Sequence, residues 1–141
     1  MSHDQTDYSS QSAVLLLRDR LLPNLFRDDE ADILYWAGKE LARDYELSTM
    51  EELSALMAKL SFGKLTLEEE KKTSYIFHLQ GEVVHERLKA NSKANFSLES
   101  GFIAQAVQKL SNHYTEGSYT VNHKARLIRI QLETDPKEPL D

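Results

Sequence analysis

The sequence predicts an α+β fold of four to five helices packed on a small four-stranded antiparallel sheet built from two hairpins. Three observations predict it. Apolar residues recur at helical spacing through the front half and again near residue 100. They alternate with polar residues around 65–79 and 128–132. The order is helices, hairpin, helices, hairpin, which sets helices against an antiparallel sheet.

The first helix rests on Val14, Leu17 and Leu21, with Leu15 and Leu22 widening the stripe and Pro23 expected to end it. A second starts near Asp28 or Asp29, where a carboxylate can cap free N–H groups, and Glu30 and Asp32 suit the positive end of its dipole. Ser48-Thr49-Met50-Glu51 fits a capping box, launching a third helix with Leu53, Leu56, Met57 and Leu60 on one face and Gly63 placed to end it. Leu65 and Leu67, then Tyr75, Phe77 and Leu79, alternate as two strands joined by the charged block Glu68–Lys72. Val83–Ala90 forms a short helix, and Ser97 caps a longer one carrying Leu98, Phe102, Ala106 and Leu110. The second hairpin pairs Gly117–Val121 with Ala125–Leu132 across Asn122-His123, with Ile128, Ile130 and Leu132 on the dry face.

One domain is expected over 11–134, between an N-terminal tail, 1–10, and a proline-bearing C-terminal tail, 135–141. With 141 residues and a 40% apolar share, the chain can bury a genuine core. The longest aliphatic run, Val14–Leu17, is far short of a membrane span, and no basic segment before it suggests a secretory signal. The chain has no Cys, which removes disulfides, thiolate metal sites and thiol nucleophiles and fits the cytoplasm. A net charge of −6 is the wrong sign for gripping phosphates, so no nucleic-acid partner is expected.

Few motifs in the chain carry chemistry. His85-Glu86 begins like H-E-x-x-H, but Lys89 stands where the second ligand belongs, and no metal or other cofactor is expected. The acidic group Asp28, Asp29, Glu30 and Asp32 reads as a helix start, and Lys124, Arg126 and Arg129 as the wet face of a strand. No glycine-rich nucleotide loop or G-x-S-x-G elbow is present. An enzyme would have to assemble its site in three dimensions, around His78, Glu82 and His85.

The second and fourth major helices are greasier than one buried face requires. Tyr35 and Trp36 point about 100° apart on a helix, and Phe102 and Ile103 repeat the arrangement. The expectation is two helices buried nearly all round, Trp36 included, or else a homodimer face or the wall of an apolar cavity. The candidate residues for that pocket or face are Tyr35, Trp36, Gly38, Phe77, Gly101, Phe102 and Ile103. Gly38 and Gly101 would let helix axes approach closely.

Three segments carry a resemblance. Tyr35-Trp36-Ala37-Gly38-Lys39-Glu40-Leu41-Ala42-Arg43 resembles the Y-W-A-G-K-x-L-A-R block of the YslB-like family from low-GC Gram-positive bacteria. Phe96-Ser97-Leu98-Glu99-Ser100-Gly101-Phe102-Ile103-Ala104 is similar to its F-x-L-E-x-G-F-I-A block, and Gly81–Lys89 to a third ending in R-L-K. That family in turn looks like the group holding 4-vinyl reductase domains and TRAPP vesicle-tethering subunits. The resemblance implies a TRAPP-subunit-like fold that dimerises through helices and holds a small hydrophobic molecule beside the sheet. The acylated Cys of some tethering subunits has no counterpart here, and Tyr119–His123 does not match the Y-x-S-x-R motif of haem-binding cousins. The function expected is a non-catalytic cytoplasmic domain that dimerises and binds a small apolar ligand or a protein partner. The alternatives are an enzyme with a site around His78, Glu82 and His85, or a pure protein-interaction scaffold.

Overall fold

The computed structural model describes residues 12–140, so the expected tail 1–10 lies outside them. The chain opens with a continuous helical arm. Ser12 caps α1 (Ala13–Leu16), accepting from the Leu15 N–H. A π-helical stretch, Leu17–Leu21, follows, then α2 (Leu22–Phe26). Pro23 does not end this arm as its ring suggested. It sits in the first turn of α2, where its missing N–H costs least, directly after the widened π stretch.

A 3₁₀ turn, Arg27–Asp29, leads into α3 (Glu30–Ala42), which starts where the acidic cluster placed it but without a side-chain cap bond. The capping box lies one residue later than read. Thr49 Oγ1 accepts from the Glu52 N–H, and Glu52 Oε1 accepts from the Ser48 N–H, launching α4 (Met50–Lys59).

The sheet joins β1 (Lys64–Glu70), β2 (Ser74–Gln80), β3 (His113–Asn122) and β4 (Leu127–Pro139) in the order β1-β2-β4-β3, all antiparallel. The block Glu68–Glu70 is strand rather than loop, entered through a bulge between Leu67 and Glu69. β4 runs to Pro139, past the Thr134 boundary that the prolines suggested. Thr134 still donates its N–H to the Thr73 carbonyl at 2.8 Å; beyond it β4 pairs with β3 alone, and the register slips between Thr115–Thr134 and His113–Pro139. Pro136 falls in that slipped stretch, where no regular ladder bond is demanded of it.

Leu65, Tyr75, Phe77, Leu79, Ile128, Ile130 and Leu132 are buried on one sheet face, against α4, α5 (Glu82–Ala90) and α6 (Ser97–Ser111). α6 is the central rod, with residues 99–108 all buried. Phe102 packs its ring 5.9 Å from Tyr45 and 5.6 Å from Phe62. No described helix is long and apolar enough to cross a membrane.

Candidate functional site

Two glycines fix the geometry around α6. A Cβ on Gly38 would stand 2.1 Å from the Leu98 carbonyl oxygen, and one on Gly101 would stand 2.0 Å from that of Tyr35. Both glycines therefore serve the crossing of α3 over α6 within one chain. Phe77, Phe102 and Ile103 are fully enclosed in the core. Tyr35 sits at the rim of the crossing. Its hydroxyl accepts from the Gly117 N–H at 2.8 Å and donates to Glu116 Oε1 at 2.9 Å. Burial, together with the Glu116 carboxylate, pushes its pKa up to about 12 against the opposing Gly117 hydrogen bond. Trp36 overturns the expectation of an all-round buried helix: it is 63% exposed. The helix turns Tyr35 toward β3 and leaves its neighbour, about 100° round, in solvent.

The deepest polar chemistry lies elsewhere. Arg18, on the π-helical stretch, grips Glu99 with both Nη atoms at 2.8 Å. Arg87 on α5 reaches the same carboxylate at 3.2 Å and binds Asp19 through Nε and Nη2, the closest contact being 2.7 Å. Both guanidinium groups also donate to the Asn95 carbonyl. The Arg87 guanidinium lies 4.3 Å from the centroid of the Phe96 ring, a cation–π contact. Burial pushes the Glu99 carboxyl up, but Arg18 and Arg87 outweigh it and hold it below the usual carboxylate range. Burial works against charge on Arg18 as well, and the Glu99 partner more than restores it. Near this network, Arg18 Nε and Glu30 Oε2 are buried without a hydrogen-bond partner among the described residues. Burial raises the Glu30 pKa, and Arg18 and Arg87 only partly oppose that.

An apolar cleft of about 250 Å³ opens onto this network. Val14 and Leu17 of the arm form one wall, and Leu60, Phe62, Val83 and Leu98 form the others. Arg18, Arg87 and Glu99 line it as well. Its residues come from four separate parts of the chain, the arm closing over the other three. The arrangement offers contact to hydrocarbon, with charges that are already paired to one another.

The histidine constellation does not form as drawn. Glu82 and His85 border a separate open pocket with Arg126, where His85 Nε2 meets Arg126 Nη1. His78 instead points to Glu68 across the first hairpin, 3.7 Å away. No group of three or more potential metal ligands converges among the described residues.

A family model described as a protein of unknown function, DUF2507, matches residues 11–133. The chain belongs to the DUF2507 family. It is similar to the uncharacterised protein YslB of Bacillus subtilis (strain 168), 34% identical over 125 residues that span 89% of this chain and 84% of the relative. A vinyl-4-reductase family protein from Methanocaldococcus jannaschii shares the fold at a TM-score of 0.58 and 15% identity, over 72% of this chain and 68% of that one. A trafficking protein particle complex subunit 3 from Naegleria fowleri, covalently bound to palmitic acid, aligns at a TM-score of 0.48 and 14% identity, over 91% of this chain and 90% of that one.

For this DUF2507 chain, sequence reasoning missed Arg18, Asp19, Arg87 and Glu99 as a set. A signal was present. Glu99 interrupts the greasiest helix, and a carboxylate among Leu98, Phe102 and Ile103 requires a buried partner. Arg87 sits in the block that ends R-L-K. Nothing local marked Arg18, whose role depends on the arm folding back.

Proposed function

We propose that this DUF2507 protein is a non-catalytic binding domain whose apolar cleft takes a small hydrophobic ligand. The observation that carries the reading is the cleft walled by Val14, Leu17, Leu60, Phe62, Val83 and Leu98. Its charged lining is internally paired, leaving apolar surface as the main binding resource. A cytoplasmic location belongs to the same reading, since a chain without cysteine needs no oxidising compartment to fold. Thermal-shift measurement with sodium decanoate, joined to native mass spectrometry of gently purified protein, tests it. Stabilisation, or a co-purified lipid-sized adduct, is expected, and Leu17→Glu should abolish either one while leaving the helical circular dichroism intact. Absence of both in the unaltered chain would overturn the reading.

A second reading, homodimerisation, draws on a different observation. Val14, Leu17, Leu21 and Leu25 recur on the arm at helical spacing and are 46–61% exposed, and Trp36 is exposed as well. Exposed aliphatic rows of this kind mark association surfaces. Sedimentation velocity should then show a dimer that Leu21→Glu converts to monomer. A monomer at all concentrations would remove this reading and leave the cleft untouched.

A further inference from the structure

The α3–α6 crossing leaves a second cleft, of about 380 Å³, between α3, the first turn of α6 and β3. Its chemistry differs from that of the apolar cleft. Tyr35, Ser97, Ser100, Ser118 and Tyr119 line it together with Asp32, and no Lys, Arg or His does.

Ser100 is the decisive residue. It is 1% exposed, and its Oγ has no hydrogen-bond partner among the described residues. A Cβ on Gly117 would come within 3.2 Å of that oxygen, so the β3 backbone lies close against it. A buried hydroxyl with nothing to bond is costly, and here it lies in the wall of a cleft of ligand size. The cleft's volume of about 380 Å³ falls within the roughly 300–1,000 Å³ of small-molecule pockets.

We propose that this cleft binds a small alkylamine in its ammonium form, with Ser100 Oγ and Asp32 as its polar contacts and the Tyr35 and Tyr119 rings as its walls. An ammonium donates up to three hydrogen bonds and accepts none, which matches a site that supplies an unused hydroxyl oxygen and a carboxylate. Phenol faces attract cations. Tyr35 already does so, with Lys39 Nζ standing 5.4 Å from its ring centroid while paired to Glu116. An anionic ligand would face Asp32 with no lining cation to offset it. This site is independent of the hydrophobic-ligand reading, and either can fail alone.

Isothermal titration calorimetry of the full chain with putrescine tests the assignment, with 1,4-butanediol as the neutral analogue of matched shape and sodium chloride held at equal ionic strength. Saturable binding of putrescine, and none of butanediol, is expected. Ser100→Ala should weaken it about tenfold, the usual effect of losing a hydrogen bond to a charged group. Asp32→Asn, at an exposed position that does not threaten folding, should weaken it at least as much. No saturation with putrescine, equal binding of butanediol, or unchanged affinity in both variants would each overturn the proposal.

Discussion

Arg18 and Glu99, 81 residues apart in sequence, meet through two parallel hydrogen bonds of 2.8 Å inside the protein. This fork-to-fork pairing, joined by Arg87 and Asp19, ties the N-terminal arm to the central helix. Removing one member strands charge in a low-dielectric setting. Glu99→Ala should therefore cost about 3–5 kcal/mol, the usual effect of breaking a buried pair. Urea denaturation of the variant checks this. Replacing Arg18 and Glu99 together by Leu should cost less than Glu99→Ala alone, because only one uncompensated guanidinium arises in the single variant and none at position 18 in the double.

The pH dependence follows from the same carboxylate. Its folded pKa is lowered, so over the acid range the folded chain binds fewer protons than the unfolded one, and stability rises with pH. The contribution is fully present above the ordinary carboxylate pKa and is lost as pH falls through the lowered folded value. Melting temperatures measured across the acid range should fall steeply in the unaltered protein. Glu99→Gln should flatten that slope while lowering stability at neutral pH.

Gly101→Ala and Gly38→Ala probe the helix crossing. Each added Cβ would sit about 2 Å from a backbone oxygen, and backbone cannot rotate aside as a side chain can. Each variant should lose about 3 kcal/mol or more, at or beyond the upper end of overpacking costs. Gly81→Ala meets nothing closer than 3.6 Å, but its φ of +116° makes it a test of backbone strain instead.

Trp36→Ala should change stability by no more than about 0.5 kcal/mol, as expected for an exposed position. Equilibrium denaturation at low protein concentration checks this. A loss of several kcal/mol would place the indole in the core.

Tyr35→Phe removes the acceptor of the Gly117 N–H and should destabilise by about 1–3 kcal/mol, the cost of a buried donor left unpaired. In the unaltered chain, absorbance titration should reveal a tyrosine ionising near pH 12, absent from the variant.

Periodicity carried the element order, the sheet and the identity of most core residues, because Phe77, Phe102 and Ile130 each repeat a pattern that their neighbours share. It misjudged Trp36, since an apolar side chain beside a buried one does not reveal which of two directions is covered. It also ended the first helix at Pro23 and the domain at Thr134, because proline's local rules give way where a π-helical stretch or a slipped register removes the demand for its N–H. The pairing of Arg18 with Glu99 was out of reach for a different reason. The residues lie on elements that meet only after the arm docks, and sequence spacing holds no record of that.

The π-helical stretch bears on how the arm tolerates change in length. Five residues, Leu17–Leu21, occupy a turn wider than the usual coil, which amounts to one surplus residue accommodated without breaking the rod. Excising Arg20, whose side chain faces solvent, would let ordinary winding resume and return Leu22–Phe26 to nearly the same phase. Excising a residue from α3 has no such slack to draw on, and would swing every side chain beyond it by about 100°. Single-residue deletions should thus be far milder in the arm's middle than in the rod that follows it.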